Sequence, residues 1–139
     1  MDALIKAKTL LEQEGHTLVL CRDDTVHTSQ RRGVAPLLAL LEQKTPVAGF
    51  AAADKVVGRA TAFLYGLLGV SRVYGRVMSQ PALAVLKKHG IEAHYEQLVP
   101  HIVNRQGTGI CPMEQATAGI EDPQEALAAV KAALDRLNQ

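Results

Sequence analysis

The sequence predicts one α/β domain whose sheet is mostly parallel with an antiparallel portion. Three observations predict it. Strand and helix patterns alternate between residues 47 and 98, which implies right-handed crossovers and parallel pairing. A hairpin pattern over residues 18–29 adds the antiparallel part. The chain has 139 residues and is 47% hydrophobic, enough for one packed core without disulfides or metals.

The elements follow in order. Leu4, Ile5, Leu10 and Leu11 give residues 3–14 a helical spacing, with Gly15 as a stop. Residues 17–21 (TLVLC) read as a strand, Asp23-Asp24 as a turn and residues 25–29 as the hairpin partner. A Leu-rich helix spans residues 34–43, with Pro36 tolerated in its first turn. Residues 47–52 (VAGFAA) read as a buried strand. Asp54 then stands as a helix N-cap, with a helix over 55–68 closed by Gly69. A strand over 70–78 follows. Ser79-Gln80-Pro81 opens a helix that Gly90 stops, and a strand covers 91–98. Residues 99–120 are irregular, punctuated by Gly107, Gly109 and Pro112. Asp122-Pro123 begins a last amphipathic helix to about residue 137. Residues 1–139 therefore form a single domain with a C-terminal helix.

Composition excludes several classes. Lys plus Arg is 15 against 14 for Asp plus Glu, so the near-neutral chain lacks the basic excess of a general nucleic-acid binder. Aromatics are 4% of residues, few platforms for stacking bases. No apolar run reaches membrane-span length, and the N-terminal residues do not read as a signal peptide. The expected setting is the cytoplasm, with Cys21 and Cys111 as thiols. Cys21 lies in an apolar strand and reads as core. Two cysteines cannot make a four-cysteine zinc site, and the histidines show no metal-ligand spacing. The glycines at 107 and 109 match neither a Walker loop nor G-x-G-x-x-G, so no cofactor is expected.

In open α/β sheets ligands bind at the carboxyl ends of the strands. Three helix starts should meet there, at Gly33-Val34, Asp54-Lys55 and Ser79-Gln80, and their free N–H groups favour an anion.

Three stretches carry a resemblance: AADKVVGRA at 52–60, MSQPALAVL at 78–86 and NRQGTGICPME at 104–114. Together, and in this order, they resemble a small prokaryotic family of unknown function with the cytidine-deaminase-like fold, over about residues 16–118. The resemblance implies a three-layer α/β/α sandwich with a mixed five-stranded sheet. It implies no activity. A zinc deaminase needs a His or Cys ligand and a Glu proton carrier on one helix start, and Pro-Cys-x-x-Cys on the next. Here one start reads RRGVAP at 31–36 and another DKVVGR at 54–59, neither of which can hold a metal. Hydrolytic zinc deamination is therefore excluded, no metal is assigned, and the helix starts are left as a pocket with altered chemistry.

The ligand-contact candidates are Arg32, Asp54, Lys55, Arg59, Ser79 and Arg105, with Arg31 beside Arg32. Asp54 and Ser79 would position helix ends, and the cations would hold an anion. A lysine at a helix start opposes the dipole by a few tenths to about 1 kcal/mol, which makes an anionic partner for Lys55 attractive. Each has a plainer reading: Asp54 and Ser79 as caps, the cations as solvated side chains or surface ion pairs. Cys111 is the candidate nucleophile, with Glu114 or His101 assisting proton transfer; a helix start there would stabilise its thiolate, and the alternative is an inert buried thiol. Three functions follow: a protein binding a small anionic or nucleotide-like molecule, a metal-independent enzyme using Cys111, or a subunit whose apolar faces build a homo-oligomer. Residues 104–114 are expected to fold back over the crevice, anchored by Ile102, Val103, Ile110 and Met113, bringing Arg105 and Cys111 to the helix starts.

Overall fold

The computed structural model describes residues 2–13 and 15–138. Its elements are α1 (Ala3–Gln13), β1 (Leu18–Arg22), β2 (Thr25–Ser29), α2 (Ala35–Glu42), β3 (Ala51–Val57), α3 (Arg59–Leu68), β4 (Arg72–Ser79), α4 (Gln80–Lys88), β5 (Glu92–Val99), α5 (Pro112–Thr117) and α6 (Pro123–Leu137). Residue 14, the expected end of the first helix, lies outside the described residues. The sheet order is β2-β1-β3-β4-β5. β1 pairs antiparallel with β2 and β3, while β3–β4 and β4–β5 are parallel. This is the mixed five-stranded α/β sheet that was expected.

The sheet separates two cores. On one face Ala7 and Leu11 of α1 pack with Val19, Cys21, Ala53 and Tyr74. On the other, α2, α3 and α4 meet Leu18, Leu20, Ala52 and Val73. α6 adds Ala126 and Val130 to that core, packing with α5 against the outer side of α3. α3 is thus enclosed, and seven of its residues from Ala60 to Leu68 are buried. Its small residues, Ala60, Thr61, Ala62 and Gly66, let its neighbours approach.

Two elements depart from expectation, for one reason. Asp54 is inside β3 rather than at a helix start, and so is Lys55; the helix begins at Arg59, with Gly58 as its N-cap. Aspartate is a favoured cap and the apolar spacing suits a helix. Ladder pairing on both sides of β3 overrides that local preference, and Val56-Val57 are β-branched residues that suit a strand. The strand correspondingly begins at Ala51, not Val47. Residues 47–50 form a turn in which Phe50 N–H donates to Val47 O (3.1 Å) and Gly49 takes a φ of 80°. The segment 99–120, read as irregular, contains α5.

The pleat also shifts in β3 and β4 together. Ala52 and Val57 face the same core, as do Val73 and Met78, although each pair is separated by an odd number of steps. The pairings Asp54–Gly75 and Val57–Met78 put both shifts at one level. A Cβ on Gly75 would stand 2.9 Å from Val57 Cγ2 and 3.3 Å from Val77 O. Gly75→Ala should therefore cost about 1–3 kcal/mol of stability, read as a lower urea midpoint with unchanged slope.

Candidate functional site

The carboxyl ends of β3, β4 and β5 lead to the starts of α3 and α4 and to the segment carrying α5. At this edge a buried carboxylate, Glu114, is 5% exposed. Its Oε1 accepts hydrogen bonds from the Arg59 N–H that opens α3 and from the Ser79 hydroxyl at 3.2 Å. Ser79 caps α4, its Oγ accepting from Ala82 N–H at 3.2 Å, so α4 reaches Glu114 through that hydroxyl. Oε2 accepts from Ile102 N–H at 3.3 Å and lies 4.0 Å from His101 Nδ1. The starts of α3 and α4 do converge, on a carboxylate from the chain itself.

Arg59 is taken up in the same junction. Its side chain is 13% exposed. Its guanidinium donates to Thr117 O at 2.9 Å and to Ile120 O, lies 3.4 Å from Glu121 Oε1, and stacks over the Phe63 ring. Arg59, expected as a ligand contact, holds the chain between α5 and α6.

Asp54 is half-buried on β3. It is paired across the ladder with Leu18 and Gly75. Its Oδ2 accepts from the Tyr65 hydroxyl at 2.6 Å, and its Oδ1 from Val56 N–H at 3.3 Å. Removal from water pushes the carboxyl up to about 7, with the bonds from Tyr65 and from the Val56 and Lys55 N–H groups opposing the rise. The Tyr65 hydroxyl, fully buried beside it, is raised well above its ordinary range by burial and then by Asp54.

Thr17 ties together two backbone stretches that carry cations at this edge. Its hydroxyl donates to Arg31 O at 2.6 Å, and its carbonyl accepts from Lys55 N–H at 3.1 Å. Lys55 is half-buried and Arg31 and Arg32 are exposed. Among the described residues these three make no ion pair. A cleft of about 170 Å³ opens beside Arg31 between the hairpin and α2; Leu18, Leu20, Pro36 and Leu40 form its apolar walls, with His27 and Arg31 also lining it.

The segment after β5 folds back, but Val103 and Ile110, expected as apolar anchors, are exposed, and a different residue makes the contact with the helix starts. Val103 and Ile110 form an antiparallel bridge, and Cys111 N–H donates to Ile102 O at 2.8 Å. Arg105 is exposed on this hairpin. Glu114, not Arg105, meets the helix starts. Cys111 is the half-buried N-cap position of the six-residue α5, and its thiol makes no capping bond. Among the described residues no group of three or more His, Cys, Asp or Glu side chains is gathered as a metal would require. None of their helices is long and apolar enough to cross a membrane. Tyr65 and Gly58 were not singled out from the sequence. The signal for Gly58 was a glycine directly after a β-branched pair.

The model of a domain of unknown function, DUF1893, matches residues 6–134. The chain belongs to the DUF1893 family. A crystal structure of a DUF1893 family protein from Thermotoga maritima is similar, with a TM-score of 0.86 and 24% identity over 94% of this chain and 88% of that one. A diaminohydroxyphosphoribosylaminopyrimidine deaminase/5-amino-6-(5-phosphoribosylamino)uracil reductase of the same organism has a TM-score of 0.44 and 10% identity, over 83% of this chain and 40% of that one. A comparison with curated proteins finds no match.

Two outcomes follow. Glu114→Ala strips acceptors from the Arg59 and Ile102 N–H groups and should destabilise the protein by about 2–4 kcal/mol in urea denaturation. For Asp54 the folded value of about 7 exceeds the ordinary 3.8, so the folded state holds the proton more tightly. That stability contribution is fully present below about pH 4 and is lost as pH rises through about 7. Asp54→Asn should flatten the decline of stability across this window; a wild-type slope in the variant would contradict the assignment.

Proposed function

We propose that this DUF1893 protein binds a small molecule with an anionic group at the carboxyl edge of its sheet. The observation that carries the reading is that Thr17 ties together the backbones of Arg31 and Lys55, with Arg32 next to Arg31, and that these three cations make no ion pair among the described residues. Guanidinium groups suit a phosphate or carboxylate, which they can grip bidentately. The adjacent cleft offers Leu18, Leu20 and Pro36 to an apolar body. At about 170 Å³ it takes a compact group, smaller than the pockets of drug-sized ligands. A nucleotide-like molecule fits this division, with its base in the cleft and its phosphate among the cations. Asp54, titrating near neutrality, offers either a proton donor or an acceptor on the same sheet face as Leu18. Ser79 and Arg59 support the edge from within rather than touching the ligand, and Arg105 has no observed link to it. The free cysteines suit a reducing, cytoplasmic setting.

A second reading, metal-independent catalysis with Cys111 as nucleophile, draws on the His101 imidazole set 4.0 Å from Glu114. A carboxylate can orient a histidine as a proton carrier. Rapid single-site alkylation of Cys111 that slows in His101→Ala would favour it.

The binding reading is tested with a nucleoside monophosphate followed by amide chemical shifts. Shifts should cluster at residues 17, 31–33 and 55. The Arg31→Ala/Arg32→Ala double variant should weaken binding about tenfold or more with the rest of the spectrum intact. Shifts spread evenly over surface lysines and arginines would reject the site.

A further inference from the structure

The sheet has two edges, and they are built differently. β5 is eight residues long, but its pairing with β4 passes from Gly75–Tyr95 to Val77–Gln97, so the ladder is interrupted at Glu96. Glu92 and Glu96 also put two acids on that strand. Interruptions and charges of this kind keep an edge from pairing with another chain. β2, the opposite edge, carries neither. Its five residues, TVHTS, contain no acid, no lysine or arginine and no proline, and they pair with β1 in unbroken register. Threonine and valine favour a strand there.

The free side of β2 is open. The two-residue turn at Asp23-Asp24 joins Arg22 to Thr25 as a bonded pair, which directs the backbones of Thr25, His27 and Ser29 toward β1. The N–H and C=O groups of Val26 and Thr28 therefore point outward, and no other hydrogen bond takes them up among the described residues. Both residues are exposed. Of the described elements, only β1 makes more than marginal contact with β2.

Charge flanks this strand in a pattern that complements itself. Asp23 and Asp24 precede it and Arg31 and Arg32 follow it; all four are exposed, and none makes an ion pair among the described residues. With a two-fold axis at His27, a second copy lays its own β2 antiparallel beside the first along the whole strand. Val26 of each copy then faces Thr28 of the other, with free N–H and C=O groups on both. The acidic turn of each copy comes beside the basic exit of the other. A slip of one residue would set outward-pointing groups against inward-pointing ones. A parallel arrangement would set acid against acid and arginine against arginine.

We propose that β2 is the contact through which two copies of this chain join, each continuing the other's five-stranded sheet. The clefts lined by His27, Thr28, Ser29 and Arg31 then open side by side on one face of the joint sheet. The proposal does not rest on the ligand reading above, although Arg31 and Arg32 enter both.

Sedimentation velocity of the full chain over a range of concentrations tests it. Wild type should pass from monomer to dimer as concentration rises, and hydrogen exchange at the Val26 and Thr28 amides should slow in step. Asp24→Arg should weaken self-association about tenfold or more, and Asp24→Arg/Arg32→Asp should restore it. Val26→Pro removes an outward N–H and no bond to β1, so it should fold and remain monomeric. If the proline variant does not fold, the charge variants decide, since both of their positions lie outside the strands. A wild type that stays monomeric, a proline variant that still dimerises, or an exchanged pair no better than the single change would overturn the proposal. A protein that dimerises through these residues and binds no nucleoside monophosphate upholds this contact and rejects the ligand reading.

Discussion

A helix buried on nearly every side still has an open end, and the start of α3 sets the terms for everything around it. Its first N–H groups need acceptors, water is largely excluded, and the residue in the capping position is Gly58. Glu114 supplies the acceptor. That one carboxylate also engages the Ser79 hydroxyl and the Ile102 N–H, so the start of α3, the start of α4 and the chain after β5 are fixed relative to one another. Glycine at 58 is a condition of this arrangement, since any larger residue would intrude on the acid. Arg59 completes it by holding the chain on the far side of α5.

Much of the fold was legible from local signals. The hairpin, the Ser79-Gln80-Pro81 start and the Asp122 cap all appear near the expected positions, because each depends on residues within a few positions of one another. Asp122 Oδ1 accepts from Gln124 N–H at 3.1 Å, a bond any reading of Asp-Pro-Gln would anticipate. Residues 51–58 were misread because they carry two valid signals, and the deciding one, pairing with β1 and β4, is not local. The site was less legible. Ser79 and Glu114 were singled out, but their meeting spans 35 positions and no spacing rule encodes it. Tyr65 carries no local signal of its role, which follows only from its hydroxyl meeting Asp54.

The edge thus holds two acids with different surroundings. Glu114 has N–H and O–H donors directed at it. Asp54 has one strong donor, Tyr65, and burial that outweighs it. Among the described residues, Lys55 and the arginines after the hairpin make no ion pair. Family membership defines the scaffold and assigns no chemistry, so these side chains carry the functional argument by themselves.

The separation between Gly58 and Glu114 has a consequence for how the molecule is made. A chain emerging from the ribosome presents the strands and helices through β5 before residue 114 exists outside the tunnel. Until then the first turn of α3 has only water to satisfy it, and neither α5 nor α6 is present to cover its outer side. The central helix of the domain is built midway along the chain and is among the last to be finished. Final ordering of the body waits on the arrival of one acidic side chain from the last third of the sequence.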